Sequence, residues 1–95
     1  MILEVAILNV RQGQCDAFEL AFAEASPQIA SIPGYISHQI QRCIETPNRY
    51  ILLVQWLTLE AHTMDFRGSP QYQEWKRLLH HFYDPFPLVE HYEQL

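Results

Sequence analysis

The chain predicts an α+β domain in the order strand, helix, strand, strand, helix, strand. Three observations lead there. Apolar residues fill Ile2–Val10, Tyr35–Ile44 and Tyr50–Leu57 in the two-residue alternation of strands. Cys15, Phe18, Phe22, Ala25, Ile29 and Ile32 recur at helical spacing between the first two of these. The stretch from Trp56 to Tyr92 then carries two helix starts, a proline-rich stop and a short apolar run. That order is the ferredoxin-like split βαβ arrangement, a four-stranded antiparallel sheet with both helices on one face.

Leu3, Val5, Ile7 and Asn9 share one side of the first strand; Ile2, Ala6, Leu8 and Val10 share the other, interrupted only by Glu4. Gln12-Gly13 turns the chain into a helix over Cys15–Ile32. Pro27 sits inside that helix and lacks the N–H that would bond one turn back, so a kink or break is expected near Ala23–Ser26. Pro33-Gly34 ends it. In the second strand Ile36, Ile40 and Ile44 alternate with Ser37, Gln39 and Gln41, and Thr46-Pro47-Asn48 forms a hairpin turn to the third. Thr58 is an N-cap with Glu60 at the positive end of the helix dipole. Gly68-Ser69-Pro70 breaks and restarts the helix, with Ser69 as cap and Pro70 at its first position. Asp84-Pro85 and Pro87 close it and lead into a last strand at Leu88–Tyr92.

A chain of 95 residues makes one domain, 1–95, which buries about 60–65% of its unfolded surface. A net charge of -5 with Lys76 as the single lysine excludes a basic stripe for nucleic acid. Met1 leads straight into a strand containing Glu4 and no apolar run has the length of a membrane span, so a cytoplasmic location without signal peptide or membrane partner is expected. Cys15 and Cys43 lack ligand-like spacing and read as reduced thiols. Twelve aromatics and 48% hydrophobic residues exceed what one thin core hides. Two strands are apolar on both faces while the helices cover only one, so a homodimer through the open sheet face is expected.

His62 lies three residues before Asp65 on one helix face. It reads as a general base or substrate hydrogen-bond partner, set against a plain helix histidine bonded to a neighbour. His80-His81 suits the negative end of a helix dipole, His91 is assigned to the dimer contact, and His38 to the core or interface. No zinc spacing joins the five histidines, and no glycine-rich phosphate cradle is present. Tyr72, Trp75, Leu79 and Phe82 form one helix stripe, the face of a core or of a pocket wall. Trp56 stands where a sheet–helix cleft opens and offers a flat apolar ring with one N–H donor. Asn9 is either a turn former or an amide aimed at the pocket.

The pattern W-x-x-x-E-A-H at Trp56–His62, F-R-x-S-P at Phe66–Pro70, an amphipathic helix ending in aromatics and V-E-H-Y at Val89–Tyr92 resembles the antibiotic biosynthesis monooxygenase family. The resemblance covers nearly the whole chain. It implies a dimeric α/β barrel in which two sheets pack together and the last strand reaches toward the partner. In the family's cofactor-free oxygenases a tryptophan at the strand-to-helix junction, an asparagine and a tyrosine serve an aromatic substrate. Trp56 matches the tryptophan, His62 takes the tyrosine's place and Leu52 the asparagine's. In the haem-degrading branch Asn9 matches a first-strand asparagine, whereas Asp65 or Phe66 stands for the tryptophan and Trp75 or Lys76 for the haem-ligating histidine.

The resemblance therefore implies a small-molecule monooxygenase, cofactor-independent or loosely flavin-assisted, that oxidises a planar phenol- or quinol-like substrate without a tightly bound cofactor. His62, Asn9 and Trp56 are the catalytic candidates; Phe66, Tyr72, Trp75 and Phe22 are the substrate-contact candidates. An isomerase or signal-processing enzyme on the same fold, or a non-catalytic dimeric ligand-binding module, stands beside this reading.

Overall fold

The computed structural model describes residues 1–95. Four strands, β1 (Ile2–Asn9), β2 (Tyr35–Arg42), β3 (Arg49–Trp56) and β4 (Val89–Glu93), form one sheet in the order β2-β3-β1-β4, with every neighbouring pair antiparallel. Helix α1 (Cys15–Ala30) and helix α2 (Pro70–Leu79) cover one face. This is the ferredoxin-like arrangement read from the sequence.

Period-two alternation places Glu4, Ala6 and Leu8 of β1 and Tyr50, Leu52, Val54 and Trp56 of β3 under the helices, where all are buried. Phe18, Phe22, Ala25 and Ile29 of α1 and Trp75 and Leu79 of α2 close over them. On the other face Leu3, Val5, Ile7, Ile51 and Leu53 meet no helix, and Ile7 stays 39% exposed. No helix of the chain is long and apolar enough to cross a membrane. Both cysteines are free thiols, and Cys15 Sγ donates to Asn48 Oδ1 at 3.2 Å.

Helix α1 differs from expectation in running unbroken through Pro27. The carbonyl that Pro27 leaves without its usual donor is that of Ala23, and Ser26 Oγ donates to it at 3.3 Å. A neighbouring hydroxyl thus replaces the missing N–H. Strand β2 also ends earlier than expected, at Arg42, and carries an irregularity between Tyr35 and Ser37, which pair with Trp56 and Gln55. Ile36 is the extra residue, so it does not share a face with His38 and Ile40. His38 lies on the helix-covered side instead, hydrogen-bonded to the Tyr35 hydroxyl and edge-on to Phe22.

The segment after β3 positions the site. Thr58 Oγ1 accepts from Ala61 N at 3.1 Å, as an N-cap does. Ala61–Phe66 then forms a π-helix rather than an α-helix, closed by Arg67 N donating to His62 O at 3.2 Å across five residues. Gly34 makes room for its start: its φ is +94°, and a Cβ there would stand 2.6 Å from Ala61 Cβ. Ser69 caps α2 by accepting from Tyr72 N at 3.1 Å. A 3-10 turn over His80–Phe82 follows, and the chain returns to β4, whose register on β1 pairs His91 with Glu4.

Candidate active site

Glu4 is the single buried carboxylate of the chain, 4% exposed. Its Oε1 accepts from Trp56 Nε1 at 3.0 Å and lies 3.3 Å from His62 Nε2. Every buried side-chain polar atom has a partner. Oε2 has none within the chain, so it faces open space, and that space is a cavity of about 400 Å³. Burial disfavours the carboxylate and pushes Glu4 up from 4.5 to about 7, against the opposing pull of Trp56 and the Arg67 guanidinium.

His62 completes a row. Its ring stacks on Trp56 with centroids 5.2 Å apart, and its Nδ1 lies 2.8 Å from Nε2 of His91. Burial, with Arg67 and His91 adding to it, pushes His62 down to about 3. The close Glu4–His62 approach is therefore not an ion pair: burial dominates for both groups and holds the imidazole neutral. His62 Nδ1 and His91 Nε2 share one hydrogen bond whose donor is set by the tautomer, and His62 Nε2 stands 3.3 Å from the Glu4 carboxylate.

One expectation for these histidines is corrected. His62 bonds His91 and approaches Glu4, and it does not meet Asp65, which is exposed. His91, assigned to the dimer contact, meets His62 within one protomer. Its register opposite Glu4 puts it on the helix side, against His62.

The cavity floor is Glu4, Ala6, Leu8 and Leu52 of the sheet; Phe66, Tyr72 and Trp75 form an aromatic wall, and the Tyr83–Val89 segment with His80 faces them. His62, Phe66, Tyr72 and Trp75 are thus brought together as read from the sequence. Three candidates are not in the lining. Trp56 is fully buried beneath His62 and acts on the cavity only through Glu4. Phe22 backs Trp75 at 5.6 Å and belongs to the core under α1. Asn9 falls on the uncovered face of β1, one residue out of phase with Leu8, and its Oδ1 accepts from Arg49 Nε at 3.0 Å. Glu4, the group sequence reasoning passed over, had one signal: a lone carboxylate in an otherwise apolar strand face.

A four-stranded antiparallel sheet with two helices over one face, and between them a mostly apolar cavity lined by the buried Glu4 and His62, defines a ferredoxin-like α+β domain. The sequence model of antibiotic biosynthesis monooxygenases matches residues 1–78, and the chain belongs to that family. It is 50% identical over 95 residues, the full length of both chains, to the uncharacterised protein YczJ of Bacillus subtilis. A Bordetella bronchiseptica protein whose crystal structure is assigned to the antibiotic biosynthesis monooxygenases superimposes with a TM-score of 0.94 at 35% identity, covering 99% of this chain and 96% of that one. SnoaB, a cofactor-independent oxygenase from Streptomyces nogalater, shares the fold with a TM-score of 0.74 at 20% identity, over 99% and 94% of the two chains.

Proposed function

We propose that this chain is a monooxygenase that takes a planar phenol- or quinol-like substrate into the cavity and needs no tightly bound cofactor. Glu4 serves as its base in place of His62. The observation that supports this is the placement of Glu4: a carboxylate tuned near 7, with one oxygen held by Trp56 and the other open to an aromatic-walled space. A base whose pKa lies near the working pH is both available and strong enough to take a phenolic or benzylic proton. His62, neutral and held through Nδ1 by His91, stands with Nε2 3.3 Å from the carboxylate and positions the acid.

The electron balance fits such a substrate. Deprotonation at a benzylic CH2 conjugated to a phenol leaves an electron-rich anion that reduces dioxygen. One oxygen atom enters the carbon as a ketone and the other leaves as water, with all four electrons drawn from that carbon. The chain's residues remove the first proton, hold the ring against the wall made by Phe66, Tyr72 and Trp75, and exclude water. The family's fold is commonly dimeric. The uncovered Leu3, Val5, Ile51 and Leu53 support a homodimer through the sheet face. The C-terminal strand β4, at the sheet edge with its outer side unpaired, is the second element assigned to that contact.

The test is oxygen uptake by the purified, metal-free protein with a panel of anthrones, quinols and phenols. Glu4→Gln keeps the Trp56 hydrogen bond but cannot take a proton, and turnover is expected to fall by about 10²-fold or more. Turnover by Glu4→Gln at the wild-type rate overturns the assignment of the base. An isomerase reading draws support from Leu52, which stands where the cofactor-free oxygenases hold an asparagine. It uses the same base and predicts proton exchange from an enolisable substrate with no oxygen consumed.

A further inference from the structure

We infer that the cavity is built for a planar aromatic acid, a ring system carrying a carboxylate that Arg67 receives where the cavity opens. The inference rests on the proposed reading only in taking this cavity as the substrate site.

Arg67 follows the π-helix directly, lines the cavity and is exposed. It is the one cationic lysine or arginine among the lining residues. Four of the chain's five arginines are engaged. Arg11 bonds Asp84, Arg42 bonds Glu19, Arg49 bonds Asn9 and Arg77 bonds Glu74. Arg67 alone makes no side-chain hydrogen bond and no ion pair, although the chain carries eleven carboxylates against six cations. A planar guanidinium with its forked donors free matches a carboxylate oxygen pair in geometry as well as charge. Its field reaches the cavity floor, since it bears on Glu4, His62 and His91 together.

The rest of the lining sorts a ligand by orientation. Phe66, Tyr72 and Trp75 offer apolar surface to flat rings and leave no second cation to compete for an anionic group. Glu4 presents little repulsion below neutrality, where burial keeps it largely protonated. An aromatic acid bound by its carboxylate at Arg67 therefore directs its ring inward, toward the open oxygen of Glu4. Arg67 also faces the anion that forms when Glu4 accepts a proton, the location where positive charge assists.

The experiment compares two probes that differ by one carboxylate, 1-hydroxy-2-naphthoate and 1-naphthol, by anaerobic isothermal titration calorimetry at pH 6. Wild type is expected to bind the acid about tenfold or more tightly than the naphthol, the scale of a charge-assisted contact at a partly solvated site. In Arg67→Met that selectivity collapses to within about twofold, and Arg67→Lys restores part of it. Equal affinity for the two probes in wild type, selectivity that survives Arg67→Met, or no binding of either probe at millimolar concentration overturns the inference. Arg67 is exposed, so the variant folds, which circular dichroism verifies. Carboxylate-selective binding without oxygen uptake on any ligand sinks the oxygenase reading and keeps this one. Uptake with uncharged quinols and no selectivity does the reverse.

Discussion

Replacing Glu4 by Gln has a consequence for stability that is read without any substrate. In the unfolded chain the carboxyl titrates at its ordinary 4.5; in the folded protein it titrates at about 7. Between those values the folded form holds a proton that the unfolded form has lost. Stability from this group is therefore fully present below 4.5 and is lost as pH rises toward 7. Each unit of difference corresponds to about 1.4 kcal/mol, so wild type gives up about 3 kcal/mol across the window. Glutamine keeps the acceptor for Trp56 Nε1 and has no proton to lose. Its own burial cost is independent of pH and drops out of the comparison. Urea unfolding of both proteins at pH 5, 6, 7 and 8 gives the measurement. The variant should gain on wild type steadily, by most of that 3 kcal/mol between pH 5 and 8, with the other titrating groups cancelling in the difference. A gap between the two proteins that is the same at pH 5 and pH 8 would refute the placement of Glu4 as a strongly buried acid.

The opposite sign holds for His62, whose folded pKa is pushed from 6.5 to about 3. Its stabilising contribution is present above 6.5 and is lost as pH falls through the window toward 3, so nitrogen NMR should find the ring neutral at pH 5; an imidazolium at that pH contradicts the neutral row. Gly34→Ala forces a Cβ into Ala61 from a left-handed backbone position, and about 2–4 kcal/mol of stability should be lost in urea. A change below about 0.5 kcal/mol would show that the π-segment does not lean on β2. Leu53→Glu places a charge in the middle of the uncovered sheet face, opposite Val5 and Gln39. Sedimentation velocity should show a dimer for wild type and a monomer for the variant; a variant that sediments as wild type would move the contact elsewhere.

The elements themselves were legible because they are local. Alternation in β1 and β3, the capping residues Thr58 and Ser69, and the apolar stripe of α1 each announce themselves within ten or fifteen residues. Pro27 misled because the rule it breaks concerns a backbone donor, while its remedy is a serine hydroxyl one residue away. The site was half legible. Phe66, Tyr72 and Trp75 lie close together in the chain and were grouped correctly. The Glu4–His62–His91 row was not, since its members meet only through the pairing of β1 with β4 and the geometry of a π-turn, neither of which has a local signature. Asn9 failed by one residue of register, enough in a strand to reach the opposite face.

The chain begins in a central strand and ends in the strand beside it. Ile2 pairs with Glu93, so the two termini finish side by side although the whole domain separates them in sequence. During synthesis β1 keeps one edge bare until β4 has been made. The acid on residue 4 acquires the histidine on residue 91 only at that point. Without β4 the edge of β1 stays unpaired and His62 has no His91 beside it. Fusions at either end would place their first residues beside the same stretch of sheet.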